Sequence, residues 1–196
     1  MIKEGLDRRK LSRDDSYSVE FYDVEDRYFR EYPHRIQVVF NQTLDYSDSQ
    51  VQQTVEQILQ RFENSKFVRS SNLSESWLRS YLRFLKRDET SYFLAGYNIS
   101  TSDGFYAALR EVFLQFPIFT HLRADIHWSD DGRRILSSRH VIQSRDILDA
   151  NGEKDMLIEL RQIADSSSLK VTIFHHLFIF FDQFILVREI SLQTIT

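Results

Sequence analysis

Apolar positions fall into short blocks along the chain, and the spacing within each block predicts its secondary structure. Over 16–32, Val19, Phe21 or Tyr22, Val24 and Tyr28 recur at helical intervals after Asp14-Asp15-Ser16, so a helix is expected, stopped by Pro33. Arg35-Ile36-Gln37-Val38-Val39-Phe40 is a short β-branched run and reads as the first core strand. From Asp48 to Phe62, Val51, Val55, Ile58, Leu59 and Phe62 share one face while Gln and Glu occupy the other, the mark of an amphipathic helix.

The pattern restarts after Ser70-Ser71-Asn72, with Ser74 as the expected cap and Trp77, Leu78, Tyr81, Leu82 and Leu85 as a second apolar stripe. A third helix follows Ser102-Asp103, with Phe105, Leu109, Val112, Phe113 and Phe116 inward and Pro117 as its end. Residues 120–128 and 133–143 then read as strands around Ser129-Asp130-Asp131-Gly132, where Asp-Gly signals a tight hairpin turn. A helix over 152–165 carries Met156, Leu157, Leu160, Ile163 and Ala164, and 169–174 supplies the last strand.

Strand, helices, strand, strand, helix, strand is the order of an α+β fold of the ferredoxin-like, split βαβ type. Its antiparallel sheet would carry extra helices inserted in the first crossover. In that topology the last strand lies antiparallel beside the first, so the chain enters and leaves at one end of the sheet. A domain looped out between two membrane spans needs such an arrangement.

A length of 196 residues suits one domain, and with only 5 Gly and 2 Pro the composition disfavours long linkers and Gly-rich phosphate loops. The formal net charge is −4 and the cations are dispersed, so the footprint of a nucleic-acid binder is missing. Arg8-Arg9-Lys10 is a basic cluster suited to a solvated terminus or a membrane flank.

The chain has no cysteine, which leans towards the cytosol. Three N-glycosylation acceptors lean the other way: Asn41-Gln42-Thr43, Asn72-Leu73-Ser74 and Asn98-Ile99-Ser100. The opening Met1-Ile2-Lys3-Glu4 lacks the apolar core of a signal peptide, so an upstream membrane span would have to translocate the domain.

The most apolar segment runs from His176 to Val187, interrupted by Asp182, and is too polar to span a bilayer by itself. Two readings stand. It is a buried C-terminal helix, or an amphipathic exit segment over 176–196 whose Phe178, Phe181, Phe184 and Ile185 face lipid or a parent protein.

Motifs of catalysis are not found: there is no Gly-x-Ser-x-Gly elbow, no phosphate loop and no His-Glu-x-x-His pair. His175 and His176 are strand neighbours that point to opposite faces and so do not share an ion easily. His121 and His127 could share a strand face, but no further ligand stands at a recognisable spacing. Asp130-Asp131 suits a turn better than an acid pair, and the Phe105, Phe113, Phe116 stripe suits core better than a lipid passage. No cofactor is expected.

Several stretches taken in order resemble the second large extracellular domain of Patched-related proteins, relatives of the Niemann-Pick type C sterol transporter and of bacterial resistance-nodulation-division exporters. They are Gly5-Leu6-Asp7 with Leu11 to Tyr17, Tyr28-Phe29-Arg30-Glu31-Tyr32 running into Ile36-Gln37-Val38-Val39, Ser76-Trp77-Leu78 through Phe84-Leu85, Ser137-Ser138-Arg139-His140 with Ile142-Gln143, and Phe178 to Phe184. Such domains carry cysteines in the family, a feature this chain lacks.

The resemblance implies an extracellular or luminal domain, entered over 1–15 and left over 176–196, within a many-spanning membrane protein that moves sterol or another lipid along an ion gradient. Its partners would be the other extracellular domain and the membrane spans of the parent, a lipid, or a protein ligand. A non-transporting receptor-like interaction or oligomerisation module is the alternative, with Arg133, Arg134 and Arg139 as its contact residues. An intracellular ferredoxin-like enzyme is a third reading, drawn from the missing cysteines.

Overall fold

A computed structural model describes residues 12–68, 71–147 and 149–183. Helix α1 spans Tyr17–Tyr28, strand β1 Arg35–Phe40, helices α2 Ser49–Glu63, α3 Trp77–Leu85 and α4 Ser102–Glu111. Strands β2 Ile126–Trp128 and β3 Ile135–Gln143 follow, then helix α5 Ala150–Asp165 and strand β4 Val171–Phe174. The fold is α+β with a four-stranded antiparallel sheet in the order β2-β3-β1-β4.

Strand β1 is central. It pairs with β3 from Arg35↔Gln143 to Phe40↔Ser138 and with β4 from Gln37↔Phe174 to Phe40↔Val171. Alternation puts Ile36, Val38 and Phe40 on one face, each fully buried, and the register sets Ile142, His140, Ser138, Ile173 and Val171 on that same face. The opposite face carries Gln37, Arg139 and Thr172 towards solvent. Beyond Ser138 the outer edge of β3 is closed by Glu75, which exchanges two backbone hydrogen bonds with Val141 at 2.8 and 2.9 Å.

Local chemistry sets the helix starts. Asp48 caps α2 by accepting from Gln50 N, Thr101 caps α4 through Gly104 N, and Asp149 caps α5 through Gly152 N. The cap of α3 is Ser76, whose Oγ accepts from Arg79 N at 3.2 Å, and not the expected Ser74. Ser74 cannot serve because Glu75 beside it is held extended against Val141, which delays the first helical turn.

Two further expectations are corrected. Residues 120–125 form a 3₁₀ helix rather than a strand, because of 122, 124 and 126 only Leu122 and Ile126 are buried while Ala124 stays exposed. Without a continuous apolar face the segment satisfies its backbone locally, and Arg123 Nε reaches back to Leu114 O. Helix α1 ends at Tyr28, where Phe29 N bonds Glu25 O, short of Pro33.

The helices inserted between β1 and β2 contribute an aromatic section to the one core that the sheet and α5 share. Tyr81, Phe84, Phe105 and Phe113 are buried, with ring centroids 4.9 Å apart for Tyr81 and Phe105 and 4.3 Å for Phe113 and Phe119. Phe116 packs against it half-buried, so this stripe fills the interior of the domain. The Tyr81 hydroxyl donates to Phe105 O at 2.7 Å, and burial pushes its pKa above the usual tyrosine range.

Trp77 is wholly buried between Tyr46 and His140, which makes it the joint between α3 and the sheet. Trp77→Ala is expected to cost about 3–5 kcal/mol in urea unfolding, whereas Leu73→Ala, at a half-exposed position, stays within about 0.5 kcal/mol.

Candidate functional site

Antiparallel pairing of β1 with β4 brings the start of the first strand and the end of the last to one end of the sheet. His34 and His175 meet there with ring centroids 4.9 Å apart and planes at 63°, and they are 1% and 7% exposed. Ser144 closes the corner from β3: its Oγ accepts from His34 N at 2.9 Å and its N donates to His34 O at 2.8 Å. Gln143 Nε2 adds bonds to Tyr32 O and His34 O. From the first turn of α5, Glu153 Oε1 stands 3.5 Å from His34 Nε2.

Residues 178–183 continue as a helix past this corner. Phe178 and Phe181 turn inward, 4% and 6% exposed, and pack on His175 and His34. These two rings therefore belong to the core and not to a lipid-facing surface, because a helix that starts at the sheet corner must bury one stripe against it. Ile179 and Phe180 face out instead, 60% and 38% exposed. Phe184 and Ile185, like the entry residues before Ser12, lie outside the described residues. Arg161 of α5 grips Asp182 through two bonds of 2.5 and 2.8 Å, tying this stretch down.

The same end carries α1, which buries none of its side chains. Tyr17, Phe21, Val24 and Tyr28, spaced as one helical stripe, are 82%, 51%, 44% and 64% exposed. Such a stripe leaves four large apolar side chains uncovered on one helix.

The sequon asparagines occupy other places. Asn41 directly follows β1 at the far end, where its N–H bonds Lys170 O at 3.0 Å. Asn98 is also distal, in a turn that docks near Asp45 through Ser102. There Gly104 passes so close to Asn98 O that a Cβ would lie 2.0 Å from it, so glycine is required. Asn72 sits in a 3₁₀ turn on the flank. All three side chains are exposed. Arg133 and Arg134 project from the hairpin turn at the far end, where Gly132 takes φ 67° and Arg110 Nη1 holds its carbonyl at 2.5 Å. Arg139 is not with them, being bonded to Asp125, Gln37 and Ala124 O.

Two arrangements elsewhere bring polar groups together in ways that resemble functional chemistry. A groove of about 830 Å³ lies between α2 and α3, lined by Gln52, Glu56, Ser74, Ser76, Arg79 and Leu82 among others. Its guanidinium is clasped on both sides: Arg79 makes paired bonds to Glu56 at 2.7 and 3.0 Å and to Glu63 at 2.5 and 3.0 Å. That clasp holds α2 to α3 and leaves no donor fork for an anionic ligand.

Ser76 Oγ also lies 2.9 Å from His140 Nδ1, the spacing of a nucleophile and its base. His140 is 1% exposed, and burial together with the Arg79 charge lowers its pKa to about 3, so it takes no proton from a serine at neutral pH. Sequence spacing did not signal this pair, because Ser76 and His140 lie 64 positions apart.

Among the described residues, no group of three or more His, Cys, Asp or Glu side chains is placed to hold a metal, and no helix is long and apolar enough to cross a membrane. His121 falls in the 3₁₀ helix and His127 is exposed on β2, so they do not share a strand face. His175 and His176 do touch, their ring centroids 4.2 Å apart. A scan of the sequence against protein-family models finds no match.

The depressed His140 pKa fixes a pH dependence. The unfolded chain binds a proton there below about pH 6.5 and the folded chain does not until about pH 3, so this contribution is complete above pH 6.5 and is lost as pH falls between them. In urea titrations the stability difference between the native chain and His140→Phe is expected to shrink over that interval, by on the order of a few kcal/mol.

Proposed function

We propose that the chain is an extracellular or luminal loop domain of a Patched-related membrane protein, serving sterol or lipid transport by binding or conducting and not by catalysis. The observation that carries this reading is the polarity of the domain. Entry and exit share one end beside exposed Tyr17, Phe21, Val24, Tyr28, Ile179 and Phe180, while Asn41, Asn98 and the hairpin turn stand at the other. A domain held to a membrane by both ends presents apolar surface on the near side and sugar on the far side.

The strand order β2-β3-β1-β4, antiparallel throughout, supports a ferredoxin-like split βαβ reading, with α2, α3 and α4 as the insertion in the first crossover. The near side would contact the membrane spans and the companion extracellular domain of the parent. Its lipid is not encoded in the geometry of the described residues, and sterol comes from the resemblance.

The receptor-like alternative is favoured by one specific feature, the outward Arg133-Arg134 tip at the distal end, a reachable place for an acidic protein ligand. Charge reversal at both positions then abolishes ligand capture and leaves lipid efflux by the parent intact.

The membrane reading is tested by expressing the parent protein in secretory cells. Glycan is expected on Asn41 and Asn98, read as stepwise mobility shifts lost in Asn41→Gln and Asn98→Gln and on treatment with a peptide N-glycosidase. Absence of sugar from all three sequons, together with cleavage of the hairpin by a protease added on the cytosolic side, would remove it. A photo-crosslinkable sterol is expected to label this domain; labelling confined to membrane segments removes the passage role and leaves docking.

A further inference from the structure

The sheet has two edges, and the chain treats them differently. On one side β2 is short, its pairing with β3 is irregular between His127 and Trp128, and where β3 runs on past it Glu75 takes both backbone groups of Val141. On the other side stands β4, which pairs with β1 alone.

The alternation of antiparallel bonds decides what β4 offers. Because Val141 bonds Glu75, its neighbours His140 and Ile142 turn their backbone groups to β1, where Val38 and Ile36 receive them. Gln37, Val39 and Asn41 therefore bond the opposite neighbour, and Asn41 N donates to Lys170 O at 3.0 Å as that parity requires. Thr172 and Phe174, facing Val39 and Gln37, spend their backbone groups on β1. Val171 and Ile173 point theirs outward, and among the described residues no hydrogen bond reaches them. These two residues keep 9% and 8% exposure, whereas Ile36, Val38 and Phe40 on the same face of β1 keep 0%. The strand carries neither a proline nor an inward charge, the usual means of blunting such an edge.

We propose that β4 is a self-association edge: two copies of this chain join antiparallel about a two-fold axis at Thr172, so that one sheet runs through both. In that register Val171 lies opposite Ile173 of the second copy and Ile173 opposite its Val171, and every outward N–H and C=O of the two residues finds a partner. The side chains match as well. Thr172 meets Thr172 of the second copy, a small uncharged pair on the solvent face. Lys170 lies opposite Phe174 of the second copy, where its stem covers a ring that is 53% exposed in the single chain. On the core face Val171 and Ile173 continue the apolar layer, and no like charges stand opposite each other. A foreign strand would meet the same backbone groups, so it is this side-chain matching that selects a second copy.

The edge is short, and the pair it makes is weak and strengthens where copies are held close together. The inference stands on the sheet and does not require the membrane reading. If that reading holds, the edge joins two parent proteins side by side.

The chain has no cysteine, so single introduced cysteines report the contact directly. Thr172→Cys in the whole chain is expected to form a disulfide-linked dimer under mild oxidation, well ahead of Gln60→Cys, an exposed control on α2. Lys170→Cys mixed with Phe174→Cys is expected to give the mixed dimer over either like dimer, because facing positions of this kind bring Cα atoms to about 4.5 Å. Residues 170, 172 and 174 are all exposed, so the substitutions leave the core intact. Thr172→Lys sets like charges opposite each other and is expected to weaken self-association in sedimentation equilibrium several-fold, with the urea midpoint of the single chain unchanged. Cross-linking of Thr172→Cys no faster than the control overturns the proposal, which is also the result if a foreign extended segment occupies the edge. Like dimers at 170 or 174 forming as readily as the mixed one overturn it too, since the register is then a different one.

Discussion

Everything in the domain depends on β1 pairing on both sides at once. Its six residues are the sole route by which β3 and β4 are joined within the described sheet, and its buried triplet Ile36, Val38 and Phe40 sets the level of the core beneath the helices. A slip of one residue would turn those side chains to solvent and bring Gln37 and Val39 inward. The same pairing places His34 against His175, so the core and the corner are fixed by one register.

The helical insertion is attached to the sheet by a set of buried aromatic and polar contacts centred on Tyr46 and Trp77. Tyr46 links three parts: its N–H bonds the Tyr106 hydroxyl, its ring packs on Trp77 and its own hydroxyl meets Ser138 Oγ at 2.7 Å. Burial pushes the Tyr46 pKa up to about 12, which keeps the hydroxyl neutral at physiological pH. The Arg79 clasp then fixes α3 on α2, with Glu63 almost completely enclosed. Removing the arginine would leave a buried carboxylate unpaired, so the clasp specifies the packing even where its net contribution is small.

Division of labour between the two ends follows from this frame. The far end is rich in turns and carries the exposed Asn41, Asn98, Arg133 and Arg134, and long-range bonds close it too, as between Asn41 N and Lys170 O. The near end buries His34 and His175 against each other, and its bonds likewise join residues more than a hundred positions apart, as between His34 and Ser144.

The sequence by itself determined the elements whose apolar period is unbroken: β1, α2 and α5 stand within two residues of their expected limits, and of the expected α3 stripe Trp77, Leu78 and Tyr81 are buried, while Leu82 and Leu85 are half-buried and Phe84 joins the core instead. It also determined the adjacency of first and last strands, because antiparallel order leaves few ways to close such a sheet. Local pattern failed where a long-range bond decides the outcome: Glu75 held by Val141 moves a cap from Ser74 to Ser76, and exposed Ala124 removes the face that would have made 120–125 a strand. It failed again at Phe178 and Phe181, whose apolar character suits a core and a membrane alike. Only the tertiary structure chose the core, because the choice depends on the His34 and His175 surface that β1 and β4 create when they pair.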